Sequence, residues 1–297
     1  MATRRLFSLA CFSALLLLSP ARAQQAREFA WNLEPGLEIR YVHKQSIATT
    51  VHLNPDVKLH LDQQMHYTWK VTEVTGDGTA KIRLTIDRVV ARVAQPGLTV
   101  EFDSDRPQAA EPPNPRARAM FEGLRRLVGS TIEATMDRKG NVGRVEFSGE
   151  LAELARQDGM LGGDILRQLA RSSSLVFPNK PIAKGNRWSR EIRLNVPFGT
   201  MTVSGYHRYL GTEASGDKPL HRFSFDAVVT IEPRENAPVQ IEVADSKQKV
   251  DLYVDAAVTH VVRSKSELRM EQRITAQGRT LNQTVEVTQE LLGTRVN

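Results

Sequence analysis

A period of two runs through most of this chain and rules out most folds at once. In "RTLNQTVEVTQEL", Leu281, Val285, Val287 and Leu291 fall on one face, interrupted only by Gln283 and Gln289. Thr280, Asn282, Thr284, Glu286, Thr288 and Glu290 fall on the other. Successive side chains of an extended strand point to opposite faces, so this run reads as a strand with one dry and one wet side. The preceding "THVVRSKSELRMEQRIT" sets Arg263, Lys265, Glu267, Arg269, Glu271 and Arg273 opposite Val262, Leu268, Met270 and Ile274. Ala276-Gln277-Gly278 separates the two runs, which predicts a long hairpin whose charged face meets solvent.

The same alternation recurs in "HYTWKVTEV", "AKIRLTID", "RWSREIRLNV" (Trp188, Ile192, Leu194, Val196), "TMTVSGYHRY" and "HRFSFDAVVTI", with turn residues between most of them. About a dozen strands are expected, as order-of-magnitude counting from period alone. Helical spacing is confined to the middle of the chain. "NPRARAMFEGLRRLVG" carries Pro115 near a helix start, Met120, Leu124 and Leu127 on one stripe, and Gly129 as a stop. "SGELAELARQDGMLGGDILRQLARSSS" offers a second helical stretch, weakened by Gly159 and Gly162-Gly163. The proline-rich "DSDRPQAAEPPNP" before the first helix reads as a loop.

Two parts of the chain echo each other. A shift of about 140 residues sets Trp69 on Tyr209 and the turn Gly76-Asp77 on Gly216-Asp217, and "TIEATMDRKGNVGRVEF" resembles "KVDLYVDAAVTHVVRSK", with Asp137 on Asp255. The expected fold is therefore mainly β, at the margin of α+β, with two related curved antiparallel units and one or two helices between them. The boundaries expected are a leader over 1–23, a first β unit over 24–150 containing loop 103–115 and helix 115–128, a helical connector over 151–184, and a second β unit over 185–297.

The N-terminus, "MATRRLFSLACFSALLLLSPARAQQ", has a basic start at Arg4-Arg5, an apolar run from Leu6 to Leu18 and a small-x-small site at Ala21-Arg22-Ala23. That pattern predicts a signal peptide cut near Ala23 and a periplasmic or extracellular protein. No later run approaches the ~20 apolar residues of a membrane-spanning helix. Loss of the leader removes the single cysteine, Cys11, and lowers the net charge from +6 to +3 by removing Arg4, Arg5 and Arg22. With so small a charge and no basic run interleaved with aromatics, a nucleic-acid partner is not expected.

Motifs that carry chemistry are few. Gly76-Asp77-Gly78 lacks both the closing glutamate of a calcium loop and the helix that follows a phosphate loop, so it reads as a hairpin tip. Glu101, Asp103 and Asp105 would share one face of a strand and could converge on a hard cation, although polar strand ends before a loop look the same. The seven histidines show no HxH, HxxxH or HExxH spacing. No GxSxG element occurs, and three tryptophans are few for a sugar-stacking site. An outer-membrane barrel is disfavoured by the scarcity of aromatics and by the helices that interrupt the strands. No catalytic residue, metal ligand or cofactor is assigned.

"PGLEIRY", "YTWKVTEVTGDGTAKIRLTIDRV", "EFDSD", "LVGSTIEATMDRKGNV" and "FPNKPIAKGNRWS" together resemble an uncharacterised family of exported proteins abundant in planctomycete-type bacteria. The resemblance covers most of the chain beyond the leader and rests on turn and strand signatures. It implies an envelope compartment and carries no site residues.

The functional expectation is a non-enzymatic envelope protein whose concave dry face either packs as plain core or holds an apolar or lipid-like ligand. In the second case Trp69, Ile82, Leu84, Tyr209, Phe223 and Phe225 would line the site. Two alternatives stand beside it: a carboxylate- or metal-dependent hydrolase built on Glu101, Asp103 and Asp105, and a module or scaffold that binds an envelope protein through the charged face of the last hairpin.

Overall fold

The computed structural model describes residues 26–106, 115–156, 167, 170, 175–215 and 218–296. Twelve strands and two helices lie within them. In chain order they are β1 (Glu38–Val51), β2 (Val57–Val74), β3 (Ala80–Gln95), β4 (Leu98–Asp103), α1 (Pro115–Leu127), β5 (Thr131–Met136), β6 (Val142–Phe147) and α2 (Glu150–Arg156). There follow β7 (Arg187–Val196), β8 (Gly199–Ser215), β9 (Lys218–Pro233), β10 (Val239–Asp255), β11 (Val261–Ala276) and β12 (Arg279–Arg295).

All the strands form one antiparallel sheet in the order β6-β5-β3-β2-β1-β12-β11-β10-β9-β8-β7, with β4 added against β3. The two units expected from the sequence are thus halves of a single sheet. They are fused where β1 pairs with β12 over its whole length, from Ile39 opposite Arg295 to Val51 opposite Gln283. The chain starts at the centre, works outward to β6, crosses to the opposite edge at β7 and returns inward.

Eight of the strands are 14–18 residues long, against roughly 5–6 in ordinary strands. At that length a sheet has two distant ends, and here they differ. Tight turns help fix the register. β11 and β12 meet at Gln277-Gly278, with Ala276 opposite Arg279 and φ of 51° and 74° at the two turn residues, as a two-residue hairpin that follows the strand twist requires.

The end holding the turns at 137–141 and 255–260 is closed by an extended strap, residues 26–37. Trp31 N–H donates to Arg138 O at 2.7 Å and Asn32 N–H to Val258 O at 2.9 Å, so the strap is stitched to both turns. Phe29 is buried among Phe177, Tyr209, His221 and Phe223 with ring centroids 5.0–5.4 Å away. Residues 175–184, expected as part of the helical connector, are not helical. Phe177 N–H reaches Lys139 O at 2.8 Å, and Ile182 bridges Arg27. The indoles of Trp31 and Trp188 donate to Leu175 O and Val176 O at 3.1 and 2.9 Å, fixing this segment across the sheet.

A second apolar cluster packs α1 and α2 on β3 and β4, with Ile86, Val89, Val100, Phe102, Phe121 and Leu151 buried. Helix α1 begins at Pro115 and stops before Gly129, whose φ is +82°, a conformation glycine adopts without penalty. No described helix is long and apolar enough to cross a membrane.

Candidate ligand cavity

The paired registers show which residues share the inner face. One row across the middle strands reads Ser264, Leu291, His43, Met65, and the next reads Ser266, Gln289, Gln45, Gln63. A third reads Leu268, Val287, Ile47, Leu61. Near the strap, inward residues such as Ile39, Tyr41 and Val254 are buried. Further along the same strands, Ile47, Leu61, Val285 and Val287 are only partly covered, and Leu281 is 43% exposed. Among the described residues, this mostly apolar face is buried at one end and only partly covered at the other.

Between these ends lies a cavity of about 870 Å³, open to solvent and lined mostly by apolar side chains. Its size falls within the roughly 300–1,000 Å³ usual for ligand sites. Ile132 and Phe147 of β5 and β6 line it, as do Ile192 and Val203 of β7 and β8. Those pairs sit at opposite edges of the strand order, so the sheet curls around the void. Leu151 and Leu154 of α2 cover part of it, and Trp31 and Leu175 contribute from the closed end.

Polar groups enter the lining at a few positions. Tyr41 and Tyr67 stack at 5.2 Å, and burial pushes both phenols above their ordinary range. His43 and His260 are held below the usual histidine value chiefly by burial. His207 is stacked between Trp188 at 5.3 Å and Phe225 at 4.5 Å. Burial first and the nearby Arg190 second bring it down to about 4, and its Nδ1 is buried with no hydrogen-bond partner. Arg190 projects from the same face of β7 as Trp188, Ile192 and Leu194, and it lines the cavity.

No family model matches the chain, and no curated protein matches it. Among solved structures, one of lipovitellin, titled for its lipid–protein interactions, aligns at 11% identity and a TM-score of 0.49, covering 89% of this chain and 25% of that one. The chain thus spans about a quarter of that structure's length. The translocator domain of the autotransporter NalP from Neisseria meningitidis aligns at 10% identity and a TM-score of 0.23, covering 87% and 88%. OpdQ of Pseudomonas aeruginosa aligns at 9% and 0.22, covering 88% and 99%. At such identities and scores none of these likenesses bears on function, and the chain's own geometry has to carry the reading.

Of the six residues singled out from the sequence, Trp69, Ile82, Leu84 and Phe225 line the cavity. Tyr209 and Phe223 lie outside its lining and are buried beneath the strap against Phe29. Sequence reasoning passed over Arg190 and the Gln289–Gln45–Gln63 row, and it read His207 as a solvated strand histidine, whereas the ring is buried between Trp188 and Phe225. Their signal was an interruption of the dry face, visible at Gln283 and Gln289 but given no meaning.

The carboxylates Glu101, Asp103 and Asp105 do not converge. Strand β4 ends at Asp103, which takes two bonds from Arg88 at 2.9 and 2.6 Å and is held below the usual carboxylate range by that guanidinium. Asp105 lies in the following turn, 3.2 Å from Arg88, and Glu101 pairs with Arg92 at 3.3 Å. None of the three lines the cavity. Among the described residues no group of three histidines, cysteines or carboxylates is placed to hold a metal.

The charged face of the last hairpin is largely paired within itself and with the neighbouring β10. Lys265 meets Glu267 at 2.8 Å, Arg269 meets Glu271 and Glu286 at 3.0 and 3.2 Å, and Arg273 meets Glu242 at 3.5 Å. Asp77 accepts from Thr75 Oγ1 at 2.6 Å and Thr79 N–H at 3.0 Å, so Gly76-Asp77-Gly78 is a hairpin tip between β2 and β3. The matching Gly216-Asp217 lies outside the described residues, as do the leader over 1–23 and most of loop 103–115.

Proposed function

We propose that this chain is a non-enzymatic carrier that holds an apolar, acyl-chain-like ligand on the inner face of its curled sheet, in an envelope compartment. The observation that carries the reading is the mostly apolar cavity of about 870 Å³ beside the buried core at the strap. The aliphatic and aromatic groups that line it meet water at a cost, and an acyl chain laid against them would remove that apolar surface from solvent. Among the described residues, partly covered apolar side chains (Ile47, Leu61, Leu268, Val287) continue from the cavity along β1, β2, β11 and β12, which would provide a path of entry.

The test is direct. Protein purified without detergent is denatured and extracted, and the released small molecules are identified by mass spectrometry. A near-stoichiometric acyl-chain compound is expected. In parallel, Val203→Trp should obstruct part of the cavity and weaken the fluorescence gain of a neutral naphthylamine dye, with the far-ultraviolet circular dichroism unchanged. A protein that releases no lipid and takes up no dye would refute the carrier reading. Release of a stoichiometric divalent metal would favour a hydrolase instead.

A further inference from the structure

We infer that Arg190 marks a headgroup site within the cavity, and that the ligand is an amphiphile carrying a carboxylate or phosphate beside its apolar chain. The inference rests on the carrier reading above and adds the charge of the ligand to it.

The inner face of β7 reads Trp188, Arg190, Ile192, Leu194, Val196, so a permanent cation interrupts an otherwise apolar series. Arg190 is half-buried, and burial pulls its guanidinium below the ordinary value. Arginine does not give up its proton in proteins, so the charge stays in the cavity wall. Among the described residues it has no acid within ion-pair reach and no side-chain hydrogen bond, whereas Arg88, Arg222 and Arg269 each hold carboxylates. A guanidinium partly removed from water and left unpaired is costly, and an incoming anion with two oxygens would relieve that cost with a bidentate bond.

Room for such a head is built in. Directly across from Arg190 stand Gly205 and then Ala227, so no bulky side chain rises over the guanidinium from the next two strands. A Cβ at position 205 would lie 2.3 Å from Asp226 O and 2.6 Å from Ala227 Cβ, which keeps that position small. On the diagonal of the same ladder sits His207, whose buried Nδ1 also lacks a partner. Arg190, without a carboxylate partner among the described residues, and His207, with its buried Nδ1 unpartnered, are therefore neighbours, and both line the cavity. An anion at this point would meet Arg190 directly and could accept a bond from the His207 ring, while its chain runs toward Phe225, Val250 and Leu291.

A structural alternative exists for Arg190, because an inward-pointing charge on an edge strand discourages the edge from pairing with another chain. Affinity measurements separate the two roles. Dodecanoate, dodecyl phosphate and methyl dodecanoate are titrated against the neutral naphthylamine dye bound to the full chain, for the wild type, Arg190→Ala, Arg190→Lys and Arg190→Glu. Wild type should bind one or both anions about tenfold or more tighter than the ester, the scale of a charge-assisted hydrogen bond in a partly buried site. Arg190→Ala should erase that preference by weakening the anions far more than the ester, Arg190→Lys should keep part of it, and Arg190→Glu should invert it. Whether dodecanoate or dodecyl phosphate gains more from Arg190 tells a fatty acid from a phosphate-bearing lipid.

Failure of all three compounds to displace dye, or of the dye to bind, would refute the carrier reading itself. Equal binding of anions and ester in wild type, with no effect of the variants, would leave the carrier reading standing and overturn the headgroup site. Variants that self-associate yet keep the anion preference would assign Arg190 to edge protection and likewise overturn it.

Discussion

His207 shows how one buried ring couples the cavity to pH. Its folded value is near 4 against an ordinary 6.5, so the unfolded chain binds the proton more readily. Stability is then complete above about pH 6.5 and declines as the pH falls toward 4, by roughly 3 kcal/mol for this group alone. His207→Phe keeps a ring between Trp188 and Phe225 and removes the titrating nitrogen. Urea titrations at pH 7 and pH 4.5 should show the variant losing clearly less stability than the wild type; an identical loss would mean that His207 does not set the slope. A signal for Arg190 was present in the sequence, as the missing apolar residue between Trp188 and Ile192. What that gap meant depended on which side chains stand across it, and Gly205 and Ala227 are brought there only by strands that follow in the chain. Tyr209 and Phe225 have the same strand parity and cannot be told apart by it. Only the strap, a segment without alternation, decides that one is core and the other cavity wall.

Turns and hairpins carry the next level, and here pattern reading succeeded most often. Asp137 and Asp255, paired as equivalents from the sequence, hold their turns in similar ways. Asp137 accepts from the backbone N–H groups of Lys139 and Asn141, both at 2.8 Å. Asp255 accepts from Thr259 N–H at 2.6 Å and His260 N–H at 2.9 Å. Removing the carboxylate strands partly buried donors, so Asp255→Ala should cost about 1–3 kcal/mol in chemical denaturation. The ionic rows on the outer face of β11 and β12 should behave differently. Arg269 and Glu286 are both more than half exposed, and a double-mutant cycle on that pair should give a coupling of about 0–1 kcal/mol that shrinks with added salt. A large, salt-resistant coupling there would contradict the reading of that face as solvated. The carboxylates of β4 were misjudged for a related reason. Strand parity placed Glu101, Asp103 and Asp105 together, but the strand ends at Asp103, and arginines arriving from β3 take up the charges.

At the scale of the molecule, the described residues pack the inner face of the sheet closely at one end and cover it only partly at the other. Amides near Ile39, Tyr41 and Val254 should exchange with solvent only through global opening, while those near Val57–Leu61 and Leu281–Val285 should exchange through local fraying. Uniform protection along β1 and β12 would show that the apolar face is covered after all. The β1–β12 seam has a further consequence, for the time course of folding. Ile47 faces Val287, and Phe29 is enclosed by Tyr209 and Phe223, so the centre of the sheet joins the two extremes of the sequence. Contacts so far apart form slowly, because the loop must be closed before they are rewarded. A chain made from its N-terminus holds β1 early and completes it last, and through that interval a strand of 14 residues presents an unpaired edge. Any other molecule with a strand to offer then competes with β12 for that place.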